Sequence, residues 1–202
     1  MDGARTGVRD RPHPHRPPRR RGPDLRGRRG RGAALTLTLV AAGRTGPNRA
    51  LSFGGEGASL DERGRRDVAA LGVRSPVVRS GPEASVVESG ALIADEVVVD
   101  DELRSIDLGS WVGRRPEEVA PVELGAWFAD PDAIPHGGES VTAFVDRIHR
   151  RLVALVPGTV VVAAMPVVQA AVALHGGVGA AGFFGLDIAP ATTWTVDISI
   201  GG

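Results

Sequence analysis

From residue 34 onward, apolar runs of strand length alternate with stretches in which apolar residues recur every three to four positions. Leu35, Leu37 and Leu39 alternate with threonines, as in a β-strand, whereas the run TVVVAA at 159–164 is apolar throughout, as in a central strand buried on both faces. Such alternation of strands and helices is typical of an α/β domain, and we predict a three-layer α/β/α sandwich with a mostly parallel central sheet. The predicted strands are 34–42, 75–79, 97–99, 159–164 and 193–200, and the predicted helices are 60–71, 83–95, 116–128, 139–156 and 167–174.

The first 33 residues differ in kind from the rest of the chain. They contain eleven Arg and three Asp, a net charge of +8, with many prolines and almost no large apolar side chains. The remaining residues carry 13 Arg against 21 acidic residues, a net charge of −8. A segment with so few apolar groups cannot offset the entropy lost on ordering. We therefore predict a disordered Arg/Pro-rich tail over 1–33, followed by one domain over 34–202.

Composition excludes several kinds of protein. The chain has no cysteine, which rules out disulfides and thiolate metal ligands, and no spacing typical of a metal site is present. The basic run before residue 34 and the apolar run after it imitate a secretory signal, but the alternation of leucine and threonine favours a strand. We expect a cytoplasmic protein with no cofactor and no membrane contact. The tail could contact nucleic acid phosphates, yet it has no aromatic residue on which bases could stack.

Several strings, in order along the chain, resemble motifs of the histidine phosphatase (phosphoglycerate-mutase-like) superfamily. The resemblance extends over residues 34–200. The first string, LVAAGRT at 39–45, lies where the family has strand one followed by Arg-His-Gly, and Asn48 lies beyond it. The other strings are LDERG at 60–64, LRSIDLGSWVG at 103–113, PHGGES at 135–140 and LDIAP at 186–190.

The resemblance implies phosphoryl transfer to a histidine, assisted by a proton donor and a cluster of cations. The nucleophilic histidine of the family corresponds to Ala42, and the arginine before it corresponds to Ala41. Phosphoryl transfer depends on positioning and on stabilising the charge of the phosphate oxygens. An alanine side chain can neither attack phosphorus nor bind these oxygens.

The other three pocket positions are also occupied by small, uncharged residues. The second phosphate-binding arginine falls at Ser85, or at Ala84 in a register one residue earlier, and the acid falls at Ser105. The second pocket histidine falls at Ala164. His175 is followed by glycine as in the family's second histidine motif, but it comes after a predicted helix, and we interpret it as a helix end. We therefore predict a catalytically degenerate member, a pseudophosphatase or binding domain.

Four polar residues are candidates for residual anion binding: Arg44, Asn48, Arg49 and His136. The partners expected on this basis are a weakly held phosphorylated or anionic small molecule, or a protein. Two alternatives remain open. One is an active phosphomonoester hydrolase that uses non-standard groups such as Ser85, Ser105 or His136. The other is a protein that binds nucleic acid or a partner through its arginine tail.

Overall fold

The computed structural model describes residues 34–46, 52–54 and 57–199, so the predicted tail lies outside the described residues. The strands are β1 Ala34–Ala41, β2 Ser75–Ser80, β3 Ala94–Val99, β4 Val160–Ala163 and β5 Thr193–Ser199. The helices are α1 Glu62–Ala69, α2 Ala84–Ala91, α3 Pro121–Ala129, α4 Val141–Val153 and α5 Met165–His175. Short 3-10 helices lie at Asp101–Leu103, Gly109–Trp111, Pro116–Glu118 and Ala180–Gly185.

The strands form one sheet in the order β3-β2-β4-β1-β5. Strand β4 runs parallel to both β1 and β2, and β2 runs parallel to β3. Only β5 is antiparallel to its neighbour among these pairs, and it pairs with β1 from Ala34 to Val40. The prediction of a mostly parallel sheet is therefore confirmed.

Two apolar cores cover the two faces of the sheet. The larger core packs the side chains of Leu35, Leu37 and Leu39 against α4 and α5. On the opposite face, Val40 and Ala42 pack with residues of α1 and α2. In β4, Val161 belongs to the first core and Val162 to the second, as expected for a strand buried on both faces. The fold is thus the three-layer sandwich that the pattern predicts.

Element boundaries differ most from the prediction in two of the helices. The helix predicted over 83–95 ends at Ala91, because residues from Ala94 onward pair with β2 instead. The helix predicted over 116–128 is divided into a 3-10 turn and α3, which begins at Pro121. Proline has no N–H to donate and is favoured in the first turn of a helix, so Pro121 starts a helix rather than continuing one.

Helix α1 begins at Glu62, two residues later than the predicted start at residue 60. The side chain of Asp61 accepts the N–H of Gly64 and caps the start of the helix. No described helix is long and apolar enough to cross a membrane.

Candidate functional site

The carboxyl ends of β1, β2 and β4 meet at one edge of the sheet, because these strands are parallel neighbours. Open α/β sheets bind their ligands in the crevice at such an edge. Ala41 pairs with Ala163, and the N–H of Ala42 donates to the carbonyl of Ala163 at 2.9 Å. Ala42 and Ala164 therefore lie side by side at the ends of β1 and β4. The structure brings together the two positions that the resemblance assigns to histidines.

Ser85 lies in the first turn of α2, which follows directly after β2. The N–H of Gly81, just beyond β2, donates to the carbonyl of Val162 at 3.2 Å, so this connection begins beside β4. The side chain of Ser85 is half-buried. The position that the resemblance assigns to the family's second arginine is thus at the same edge of the sheet as Ala42 and Ala164.

A buried glutamate connects Ser105 to the start of α2. The N–H of Ser105 donates to Oε1 of Glu83 at 2.6 Å, and only 5% of Glu83 is exposed. Glu83 is not among the residues predicted for the site, since a glutamate before a helix ordinarily faces solvent. Its carboxylate accepts a hydrogen bond from the amide of Ser105, which lies 22 residues further along the chain.

Ser89, also absent from the candidates, joins the turn after β1 to α2. Its hydroxyl donates to the carbonyl of Ser85 at 2.7 Å and accepts the N–H of Gly43 at 3.1 Å. The residue is fully buried. Ser89 therefore fixes the backbone beside Ala42 relative to the backbone of Ser85.

The turn after β1 also packs tightly against α1. A Cβ at Gly43 would lie 2.8 Å from the carbonyl oxygen of Gly64. A Cβ at Gly64 would collide with the carbonyl oxygen of Arg44. Both positions require glycine, because any side chain would push the turn away from the helix.

Arg44 does not present a free charge to the crevice. Its Nε donates to Oδ2 of Asp61 at 2.7 Å. The hydrogen bond from the Gly64 N–H, together with the guanidinium of Arg44, lowers the pKa of Asp61, which is therefore ionised at neutral pH. The prediction of Arg44 as an anion-binding residue did not foresee this carboxylate partner. Asn48 and Arg49 lie outside the described residues.

His136 lies in the interior of the protein rather than at the solvent-filled entrance of a pocket. It is 2% exposed, and its ring lies 5.0 Å from that of Trp111 and 5.8 Å from that of Trp127. Nδ1 accepts the N–H of Gly138 at 3.0 Å, and within the described part of the chain Nε2 has no partner. Burial lowers the pKa of His136, and Asp107 opposes this shift. A neutral imidazole has no charge to offer an anion, but its unpaired Nε2 could still donate a hydrogen bond, so anion binding by His136 stays a prediction.

Beside Ser105 a cavity of about 770 Å³ is lined by residues of both charges, including Arg104, Asp107 and Asp132. Arg147 also lines it, but its guanidinium is bound by both carboxylate oxygens of Glu139, at 2.9 and 2.8 Å. Arg147 further donates to the carbonyls of Glu102, Arg104 and Ser105. This arginine therefore holds the 102–105 segment against α4 and is not available to a ligand. Over the described ranges no cluster of three potential metal ligands occurs.

Comparison with known proteins agrees with the fold. Residues 37–200 match the model of the histidine phosphatase superfamily (branch 1). The chain is 32% identical over 136 residues to the Bifunctional protein Rv2228c of Mycobacterium tuberculosis and to an uncharacterized protein of Mycobacterium bovis. The matched segment is 59% of this chain but only 37% of these relatives, so the chain spans little more than a third of their length.

Solved structures of similar fold include two enzymes. The mycobacterial glucosyl-3-phosphoglycerate phosphatase Rv2419c, in complex with VO3, superposes with a TM-score of 0.68 at 26% identity, covering 80% of this chain and 92% of that one. A phosphoglycerate mutase from Thermus thermophilus gives a TM-score of 0.66 at 25% identity, covering 80% of this chain and 92% of that one. The native form of the mycobacterial phosphatase gives a TM-score of 0.70 at 24% identity, with coverages of 82% and 91%, and supports the fold alone.

Proposed function

We propose that this chain, which belongs to the histidine phosphatase superfamily (branch 1), is a catalytically degenerate member that acts as a binding domain rather than as a phosphatase. One observation carries the proposal. Ala42 and Ala164 lie side by side at the carboxyl ends of β1 and β4, where the resemblance places the two pocket histidines. Two methyl groups cannot provide a nucleophile or a hydrogen bond to a phosphate oxygen.

The binding free energy that is lost with the family's cationic groups is large compared with the free energies that govern catalytic rates. A hydrogen bond to a charged group contributes about 1.5 to 3 kcal/mol, so the loss of three cationic groups removes roughly 5 to 9 kcal/mol of phosphate or transition-state binding if the contributions add. Each 1.4 kcal/mol corresponds to about a factor of ten in rate. We therefore expect phosphomonoester turnover to fall below detection.

The candidate anion-binding residues that the structure describes, Arg44 and His136, do not replace the family's groups. Arg44 is paired with Asp61, and His136 is enclosed by Trp111 and Trp127. Among the described residues, no hydrogen bond joins the side chains of Ser85, Ser105 and His136. This argues against the alternative of a hydrolase that uses these three groups, because a nucleophile and its base must lie within hydrogen-bond reach.

The test is to restore the family's groups and look for the family's chemistry. The restored variant carries Ala41→Arg, Ala42→His, Ser85→Arg, Ser105→Glu and Ala164→His. The wild-type chain should not hydrolyse p-nitrophenyl phosphate above background, whereas the restored variant should. A matched control with the other four changes but with Ala42 retained should be inactive, because it lacks only the nucleophile.

Ala41 needs a separate variant because it has no exposed surface, and an arginine there must displace neighbours. A four-change variant that keeps Ala41 separates failure to fold from failure to react, with circular dichroism as the check on folding. Orthovanadate binding gives a second readout, expected for the restored variants and absent from the wild type. Wild-type turnover that disappears on Ser85→Ala or Ser105→Ala would overturn the proposal in favour of the hydrolase. A folded restored variant with neither turnover nor vanadate binding would show that these are not the pocket positions.

A further inference from the structure

The opposite net charges of the first 33 residues and of the rest of the chain raise the question of where unpaired acidic groups lie on the folded domain. Several surface acids already have arginine partners, such as Asp67 with Arg63 and Glu62 with Arg66. The acids at β3 and in the 3-10 helix that follows it are different. In the described part of the chain, no arginine pairs with the side chains of Asp95, Glu96, Asp101 and Glu102, all of which are exposed.

Strand β3 is also at the margin of the sheet. It pairs with β2 on one side, and among the described residues no strand pairs with its other side. Val99 in this strand is 50% exposed. The backbone groups on the outer side of an edge strand are available to another segment of chain. We call the group Asp95, Glu96, Val99, Asp101 and Glu102 the β3 edge surface.

We propose that the arginine-rich segment at residues 16–31 docks on the β3 edge surface of its own chain. This segment contains eight arginines and a single acid, Asp24, while the β3 edge surface contains four carboxylates and has Arg74 and Arg104 beside it. Guanidinium groups form paired hydrogen bonds with carboxylates and can also donate to free backbone carbonyls. The surface therefore offers both kinds of acceptor to this segment.

The connection is long enough for this contact. Strands β1 and β3 run in the same direction, since each is linked through parallel neighbours, and they are separated by β4 and β2. With neighbouring strands about 4.8 Å apart, the start of β1 lies roughly 14 Å across the sheet from the start of β3. About five extended residues cover that distance. Residues 16–31 can therefore reach β3 while residue 34 remains in β1.

Side chains rather than a full hydrogen-bonded strand make the contact. Pro17, Pro18 and Pro23 have no N–H to donate and interrupt any continuous ladder. The attraction is thus mainly between charges at the surface, where salt screens it. Arginines held in this way are not available to nucleic acid, so docking opposes the alternative in which the tail binds phosphates.

Because the chain has no cysteine, pairs of introduced cysteines can report the contact in the full-length protein. Spin labels on Gly22→Cys and Ala91→Cys place one probe in the tail and one at the exposed end of α2, three residues before β3. The control pair is Gly22→Cys with Val122→Cys, whose native side chain is 78% exposed on α3. Double electron-electron resonance should give a narrow distribution of short distances for the first pair and a broad one for the control.

Neutralising the surface should remove the short distance. The variant Asp95→Asn, Glu96→Gln, Asp101→Asn and Glu102→Gln, or addition of about 0.5 M NaCl, should make the first distribution as broad as the control. The matched control neutralises four other acids without an ion pair among the described residues, Glu123, Asp132, Asp146 and Asp187, and should leave the short distance in place.

Three results would overturn the proposal: a broad distribution in the wild-type background, equal loss in both neutralised variants, or a short distance that appears only between separately labelled chains in a mixture. The last result would assign the surface to the tail of a second copy.

Discussion

The turn after β1 and the crevice beside it differ in how tightly the structure constrains their residues. Gly43 and Gly64 meet so closely that neither has room for a Cβ, and the buried hydroxyl of Ser89 joins this turn to α2. By contrast, Ser85 and Ala164 at the crevice are half-buried, and their side chains form no hydrogen bond among the described residues. The residues that hold the backbone in place are thus separate from those that would perform chemistry. A chain can lose the second set and keep the fold.

The frame denotes Gly43, Gly64, Ser89 and Arg147, and the lining denotes the half-buried residues Ser85, Ser105 and Ala164. Substitutions in the frame should destabilise the fold, whereas substitutions in the lining should change binding more than stability.

The largest effect is expected from Arg147→Met. Arg147 and Glu139 are 12% and 18% exposed, and the change leaves the carboxylate without its partner and three carbonyls without a donor. Breaking a buried ion pair costs about 3 to 5 kcal/mol, and we expect a loss of about 3 kcal/mol in the free energy of unfolding, measured with urea. The control Arg66→Met removes an exposed pair with Glu62 and should cost less than about 0.5 kcal/mol. Equal losses in the two variants would contradict the assignment of Arg147 to the frame.

Gly64→Ala should be the next most damaging change. The new Cβ collides with the backbone of Arg44, which no side-chain rotation can relieve, and overpacking of this kind costs about 1 to 3 kcal/mol. Gly125→Ala is the matched control, since Gly125 is also helical and a Cβ there would have no atom within 4 Å. That change should stabilise the protein by up to about 1 kcal/mol through helix propensity. Urea unfolding of both variants measures the difference, and a neutral Gly64→Ala would show that the turn can move.

Ser89→Ala removes one hydroxyl and leaves the buried N–H of Gly43 without its acceptor. An unsatisfied buried donor costs about 1 to 3 kcal/mol, and we expect a loss near the lower end of that range in thermal or urea unfolding. Ser75→Ala is the control, because its exposed hydroxyl bonds only the carbonyl of Val77 and its loss should matter by less than about 0.5 kcal/mol. If Ser89→Ala unfolds like the wild type, the link between the turn and α2 is not needed for stability.

The smallest effects are expected in the lining. Ser85→Arg and Ala164→His introduce the family's side chains at half-buried positions, and each should change the free energy of unfolding by less than about 1 kcal/mol. Ser85→Arg should be slightly unfavourable, because a cation near the start of a helix opposes the helix dipole. Losses as large as that of Gly64→Ala would mean that these positions are packed like the frame, and the distinction between the two regions would fail.

Much of the fold could be predicted from local patterns. The alternation at Leu35, Leu37 and Leu39 and the apolar run at 159–164 correspond to β1 and β4, and the helix predicted over 139–156 corresponds to α4. His175 is the last residue of α5, as expected for a helix end. The boundary between α2 and β3 was missed, because pairing with β2 determines it and local helix propensity favours a longer α2.

Only the features of the candidate site that follow from the ends of the predicted strands could be predicted from the sequence. The register that places Ala42 beside Ala164 follows from parallel pairing of two strands that the pattern identifies. The partner of Arg44, the burial of His136 and the contact between Glu83 and Ser105 could not be predicted in this way. Each depends on groups distant in sequence, whose meeting has no local signature.

The order of strands and helices, the charge contrast between the first 33 residues and the rest of the chain, and the small side chains at the five positions that the resemblance assigns to the pocket are properties of the sequence alone. They follow from hydrophobic periodicity and residue identity, which act over a few neighbouring positions. Folding in three dimensions decided which charges are neutralised and which imidazole is enclosed. Those outcomes depend on desolvation and on distances between segments, which exist only once the sheet and its helices have assembled.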